Sequence, residues 1–142
     1  MSFNRTIAIF FIAFVSLASN SQLTERIESE CLENIGSDFV HNSQPMRALL
    51  TGSEIAEFRT TLFEGNIYRF VACSPGNNNI WFSVYDANHK LLFSSSHYDN
   101  PKSWDFKLEG NMECIIEAGL LPGSGDSGLA LMLIGFKNAS EM

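Results

Sequence analysis

The residues best able to do chemistry stand together two-thirds of the way along the chain: Ser94, Ser95, Ser96, His97, Tyr98 and Asp99. They offer hydroxyl groups, a base and an acid. Neighbours in one loop do not make a catalytic triad, however, because nucleophile, base and orienting group must converge in space. Polar groups on a surface loop is the plainer reading. It leaves Tyr98, with His97 beside it, as the best exposed contact residue. Asn77 and Asn78, in the turn-rich run Ser74-Pro75-Gly76-Asn77-Asn78-Asn79, form a second candidate. The loops Ser74 to Asn79 and Ser94 to Lys102 are therefore the expected binding surface. Trp81, Tyr85 and Trp104 could join Tyr98 in an aromatic platform for a sugar ring or an apolar partner. The stronger expectation puts Trp81 and Tyr85 beneath a helix and Trp104 in the core.

Other chemistries find less support. His41 and His89 are isolated, and with three histidines and no close pair no metal site is expected. Asp86 with Asn88, and Asp99 with Asn100, are oxygen-rich but match no EF-hand spacing. Asx residues at turns bond their own backbone, and that reading is preferred. Gly125-Asp126-Ser127-Gly128 matches the segment around the nucleophile of chymotrypsin-like proteases. Leu129 replaces the second glycine, no Ala-Ala-His-Cys segment exists, and the chain is too short for that two-barrel fold. Gly123 to Gly128 reads as a loop between strands. No catalytic residue and no cofactor is assigned.

Charge and length narrow the field. The chain has 142 residues and a formal net charge of −7. An acidic balance argues against nucleic-acid binding, which needs clustered Lys and Arg. Residues 1–18 read as a signal peptide: Arg5 gives the positive n-region, Ile7 to Val15 is nearly all apolar, and Ser16-Leu17-Ala18 suits cleavage. That run falls short of the roughly 20 residues a spanning helix needs. No membrane insertion is expected, and the protein should be secreted or periplasmic. The residues after the signal suffice for one domain with a real core.

Residues 19–44 form an N-terminal helix and linker. Leu23, Ile27, Cys31, Ile35 and Phe39 recur every four residues, with glutamates opposite, predicting a helix over Ser21 to Val40. Gly36 weakens its end. From residue 45 to 137 the texture is short apolar runs between turns. Expected strands are Met46–Leu50, Glu57–Phe63, Ile67–Cys73, Ile80–Tyr85, Lys90–Ser95, Trp104–Leu108, Met112–Ala118 and Leu129–Phe136, with a hairpin at Asp86 to His89. Turns every eight to fifteen residues without helices between them imply a mainly β, antiparallel β-sandwich or jelly-roll-like fold. Residues 138–142 form a tail, in which Asn138-Ala139-Ser140 is a glycosylation sequon relevant in a eukaryotic source.

Alternation assigns the faces. Arg69 should avoid the core, which turns Tyr68, Phe70 and Ala72 inward. Met112, Cys114 and Ile116, and Ile80, Phe82 and Val84, also face inward. Val71, Cys73, Trp81 and Tyr85 are then expected on one apolar outer face, onto which the N-terminal helix docks. Docking brings Cys31 to Cys73 and leaves Cys114 a buried thiol. That pairing closes a loop of about 42 residues, worth roughly 4 kcal/mol. Cys73–Cys114 and three free thiols are the alternatives.

Gly65-Asn66-Ile67-Tyr68-Arg69-Phe70, Ile80-Trp81-Phe82-Ser83-Val84-Tyr85-Asp86, Leu91-Leu92, Gly110-Asn111-Met112 and Gly128-Leu129-Ala130-Leu131 together carry a resemblance. From Glu57 to Phe136 the chain resembles the bacterial pre-peptidase C-terminal (PPC) type of secreted β-sandwich. The family usually has tyrosine where Met112 stands and often an acidic residue where Asn77, Asn78 and Asn79 stand, which weakens the case for its calcium site. The resemblance implies a non-catalytic accessory or binding module. The residues point the same way, toward an exported module taking a glycan, a cell-surface component or a protein. A structural subunit of an envelope assembly and a small hydrolase are the rivals.

Overall fold

The structure is a computed structural model describing residues 29–41, 45–74, 80–123 and 127–141. Two antiparallel sheets enclose the core. Sheet A comprises β1 (Val40–His41), β2 (Met46–Thr51), β9 (Ser127–Asn138), β4 (Asn66–Cys73) and β7 (Ser103–Lys107). In it, β1 and β2 both pair with β9, followed by β4 and β7. Sheet B has the order β3 (Ile55–Leu62), β8 (Met112–Leu120), β5 (Ile80–Asp86), β6 (Leu91–Ser94). From β2 to β9, only the β5–β6 hairpin stays within one sheet; every other connection crosses to the opposite sheet. Repeated crossing of this kind gives a jelly-roll-like sandwich.

The expected strands all form, with ends shifted by a few residues. Alternation places Tyr68, Phe70, Ala72, Phe82, Val84, Cys114 and Ile116 in the core between the sheets, as their spacing predicts. Phe70, Phe82, Leu62 and Ile116 are among its fully buried members.

A second apolar cluster lies outside sheet A. Residues 29–35 are helical, and Cys31, Ile35 and the following Phe39 pack on Ile67, Val71, Leu131 and Leu133. The start predicted for the helix lies outside the described residues. Its end is earlier than predicted: Gly36 adopts φ 82°, a left-handed turn that stops the helix. Phe39 keeps its place in the cluster from a loop, and Val40–His41 becomes the short strand β1. Gly135 of β9 allows the close approach, since a Cβ there would meet Ile35 and Phe39 at 3.1 Å.

Two further features fix the helix. Cys31 and Cys73 form a disulfide with Cα atoms 5.8 Å apart, while Cys114 is a buried free thiol. The Arg69 guanidinium makes a two-pronged pair with Asp105 at 2.8 and 2.9 Å and donates to the Ile35 carbonyl at 2.9 Å. It also lies 4.2 Å from the Phe39 ring centroid. One side chain thus satisfies a helix C-terminal carbonyl and ties the helix to β7.

The expectation for Trp81 and Tyr85 needs correction. They face outward, but β5 belongs to sheet B and β4 to sheet A, so the described helix residues, which pack over Val71, do not cover them. Alternation gives each strand's inner face; it does not say which strands share a sheet. The tail also differs in detail, as β9 continues through Asn138 and residues Ala139–Glu141 form a 3-10 turn, η2.

Candidate functional site

At one end of the sandwich, β6 runs into a second 3-10 turn, η1 (Ser95–Tyr98). Asp99 and Asn100 follow in left-handed conformations, φ 61° and 51°, before Pro101 leads into β7. Asp and Asn tolerate this region better than most residues. Their turn is closed by the Asn100 N–H donating to the Ser95 carbonyl at 2.8 Å.

The base of the turn is fixed from inside. Ser95 is fully buried, and its hydroxyl accepts from the Phe82 N–H at 2.9 Å. Ser94 shares a buried hydrogen bond with Ser83 at 3.1 Å. The hydroxyls of Ser94 and Ser95 therefore serve the architecture beneath the loop. Both serines are buried, whereas His97 is exposed.

The tip rests on a column of rings. Phe82 meets Phe93 at 5.2 Å, Phe93 stacks on Trp104 at 4.5 Å, and Trp104 meets Tyr98 at 4.6 Å. Tyr98 also stacks on Phe93 at 5.6 Å with rings 11° apart. Tyr98 nevertheless remains 56% exposed. A side chain held from behind and open in front loses little entropy when it meets a partner.

Of the predicted site residues, His97 and Tyr98 share this turn. Asn77 and Asn78 lie outside the described residues. Trp104 is half-buried and packs against the core, as expected, and it also supports Tyr98. That supporting column has no signature in the sequence, because contact between β6 and β7 side chains depends on the packing of the two sheets. Asp99-Asn100-Pro101 is the turn signal that marks its position.

The other singled-out groups have local roles. The Asp86 carboxylate accepts from the Asn88 and Lys90 N–H groups, each at 2.9 Å, and so shapes the β5–β6 turn. Ser127 and Gly128 begin β9 and pair with Thr51 and Leu50. Asn138 accepts from the Ser140 N–H and hydroxyl at 3.0 and 2.8 Å. Among the described residues, no group of three or more His, Cys, Asp or Glu side chains is placed to hold a metal ion. No helix of the described residues is long and apolar enough to cross a membrane. Burial pushes the Cys114 thiol up to about 11, which keeps it protonated and unreactive near neutrality.

Fold and site together define a small jelly-roll-like sandwich with a helix stapled over one sheet and a rigid aromatic turn at one end. No known family matches the sequence, and no curated protein matches it. Among solved structures, it is similar to Aeromonas hydrophila PliG, a periplasmic lysozyme inhibitor of g-type lysozyme. The two share 13% sequence identity and a TM-score of 0.52, over 66% of this chain and 85% of PliG. At that identity the likeness establishes a shared fold.

Proposed function

We propose that this chain is an exported, non-catalytic module that binds a protein through the η1 turn, and that its partner is a lysozyme-class enzyme. The observation that carries the reading is Tyr98, exposed at the tip yet braced by Trp104 and Phe93. Rigid aromatic anchors of this kind concentrate binding energy at protein interfaces. The fold shared with PliG supports the choice of partner. So does chemistry: a glycosidase cleft presents a pair of carboxyl groups. The Tyr98 hydroxyl and a ring N–H of His97 are suitable donors to them. The net charge of −7 favours approach to a cationic partner surface.

Export fits the signal-peptide pattern of residues 1–18 and the Cys31–Cys73 bond, since disulfides persist in oxidising compartments. The destination is the periplasm or the extracellular space. The resemblance to PPC-type sandwiches supports a non-catalytic role as well.

The test is lysis of bacterial cell walls by purified g-type, c-type and i-type lysozymes with increasing amounts of the protein. Dose-dependent inhibition of at least one type is expected, with Tyr98→Ala reducing potency by about tenfold or more. Full lysis by all three at saturating protein would reject the lysozyme partner. Inhibition indifferent to Tyr98→Ala would remove η1 as the contact.

A further inference from the structure

The outer face of sheet B presents aromatic and polar side chains away from the η1 turn. Three rows of side chains cross it: Ile55, Gly119 and Trp81; Glu57, Glu117 and Ser83; Arg59, Ile115 and Tyr85. The Trp81 indole lies against Gly119 so closely that a Cβ there would come within 2.7 Å of it. At the other end Tyr85 stacks on His89 at 5.2 Å, and the His89 imidazole sits 3.7 Å from the Glu117 carboxylate. Trp81 and Tyr85 are four residues apart on one strand, a span of about 13 Å at the usual rise.

Beside this strip is a cleft of about 370 Å³. Ile115 and Ala87, the latter in the β5–β6 turn, line it together with Arg59, Thr61 and Glu113, which supply polar groups. That volume is in the range of small-ligand sites. Its polar groups include donors and acceptors of both charge signs, with Arg59 paired to Glu57 at 2.9 Å. An anionic ligand would meet repulsion from Glu113 and Glu117, since Arg59 is already paired to Glu57. A neutral ligand with many hydroxyls and apolar ring faces matches the whole surface: hydroxyls to Glu113, Glu117, Arg59 and Thr61, ring faces to Trp81 and the Tyr85–His89 stack.

We propose that the outer face of sheet B, from Trp81 to the cleft beside Ala87, binds a neutral oligosaccharide, independently of the η1 turn. The strip is long enough to seat more than one sugar ring, and the cleft takes one end of the chain.

Amide spectra of the isotope-labelled full chain, titrated separately with chitotetraose, cellotetraose and maltotetraose, test the assignment. At least one sugar should give saturable shifts at residues 59–61, 81–87 and 113–119, leaving η1 unmoved. Ala87→Trp, which places an indole in the cleft lining, and Glu113→Ala should each weaken that binding by about tenfold. Both residues are exposed, so the variants should fold, and unchanged thermal unfolding verifies this. Spectra unmoved by all three sugars at millimolar concentration overturn the proposal. So do sugar shifts centred on Tyr98, or shifts that answer only to a lysine-rich peptide or to raised protein concentration. Lysozyme inhibition is read in a separate assay, so either idea can fail without the other.

Discussion

Sheet A turns Val71, Leu131 and Leu133 outward, and sheet B turns Trp81, Tyr85 and Ile115 outward. The first set is buried under the helix and its extension; the second has no helix over it among the described residues. Sheet A is closed by a disulfide, a forked ion pair and a cation over a ring. On sheet B, Ile115 is 5% exposed, and no helix among the described residues lies over it. A helical cover makes a second core. Sheet B instead borders a cleft lined by Arg59, Thr61, Glu113 and Ile115.

The contrast is broken most severely at the staple. Replacing Cys31 and Cys73 together by serine should cost about 4 kcal/mol on the loop-entropy account. Denaturant unfolding measures it, and a loss below about 1 kcal/mol would mean that packing alone holds the helix. Next is Arg69→Ala, expected to cost about 2 kcal/mol, since charge-assisted hydrogen bonds to Asp105 and the Ile35 carbonyl are lost. Its control on the open sheet is Arg59→Ala. The Arg59–Glu57 pair has side chains 73% and 44% exposed and should change stability by less than about 0.5 kcal/mol.

Alkaline pH sharpens the comparison from the other side. Cys114, on the inner face of sheet B, has its pKa raised by burial from 9.0 to about 11. Tyr85, on the outer face, is also raised, first by burial and then by the charge on Glu117. A group raised on folding gives its full stabilisation below its unfolded pKa and loses it as pH climbs toward the folded value. Stability should therefore fall between pH 9 and about 11, with a slope from Cys114 of at most roughly 1.4 kcal/mol per pH unit. Unfolding at a series of pH values tests this, and Cys114→Ala should flatten the decline. An unaltered slope in that variant would assign the effect elsewhere.

What is legible in the sequence divides from what is not along a physical line. Alternation within a strand is local, so Tyr68, Phe70 and Ala72 are assigned inward and Val71 outward without knowledge of topology. The same pattern brings Cys31 to Cys73, because helix and strand each have one apolar face needing cover. Which strand neighbours which is set by long-range pairing, and there alternation alone joins Trp81 and Tyr85 to Val71 across what is a gap between sheets. The cleft beside Ile115 is likewise invisible, since it forms between β3, β8 and a turn far apart in sequence. Tyr98 is legible as an exposed aromatic in a polar loop, but its support by Trp104 is not.

At Tyr98 a modest effect on stability and a large effect on binding should separate. Its ring contacts with Phe93 and Trp104 are worth about 1 kcal/mol, as aromatic pairs commonly are, and its outer half already faces solvent. Tyr98→Ala should therefore lower folding stability by no more than about 1 kcal/mol while removing most partner binding. Tyr98→Phe keeps the stack and removes only the hydroxyl, so its stability should match the parent within about 0.5 kcal/mol. If that variant also loses potency against the sensitive lysozyme, the hydroxyl makes the contact. If it retains full potency, the ring does. Should Tyr98→Ala instead unfold the domain as severely as loss of the disulfide, Tyr98 would be part of the core's support, and the division between a rigid interior and an open contact surface would fail at this end of the sandwich.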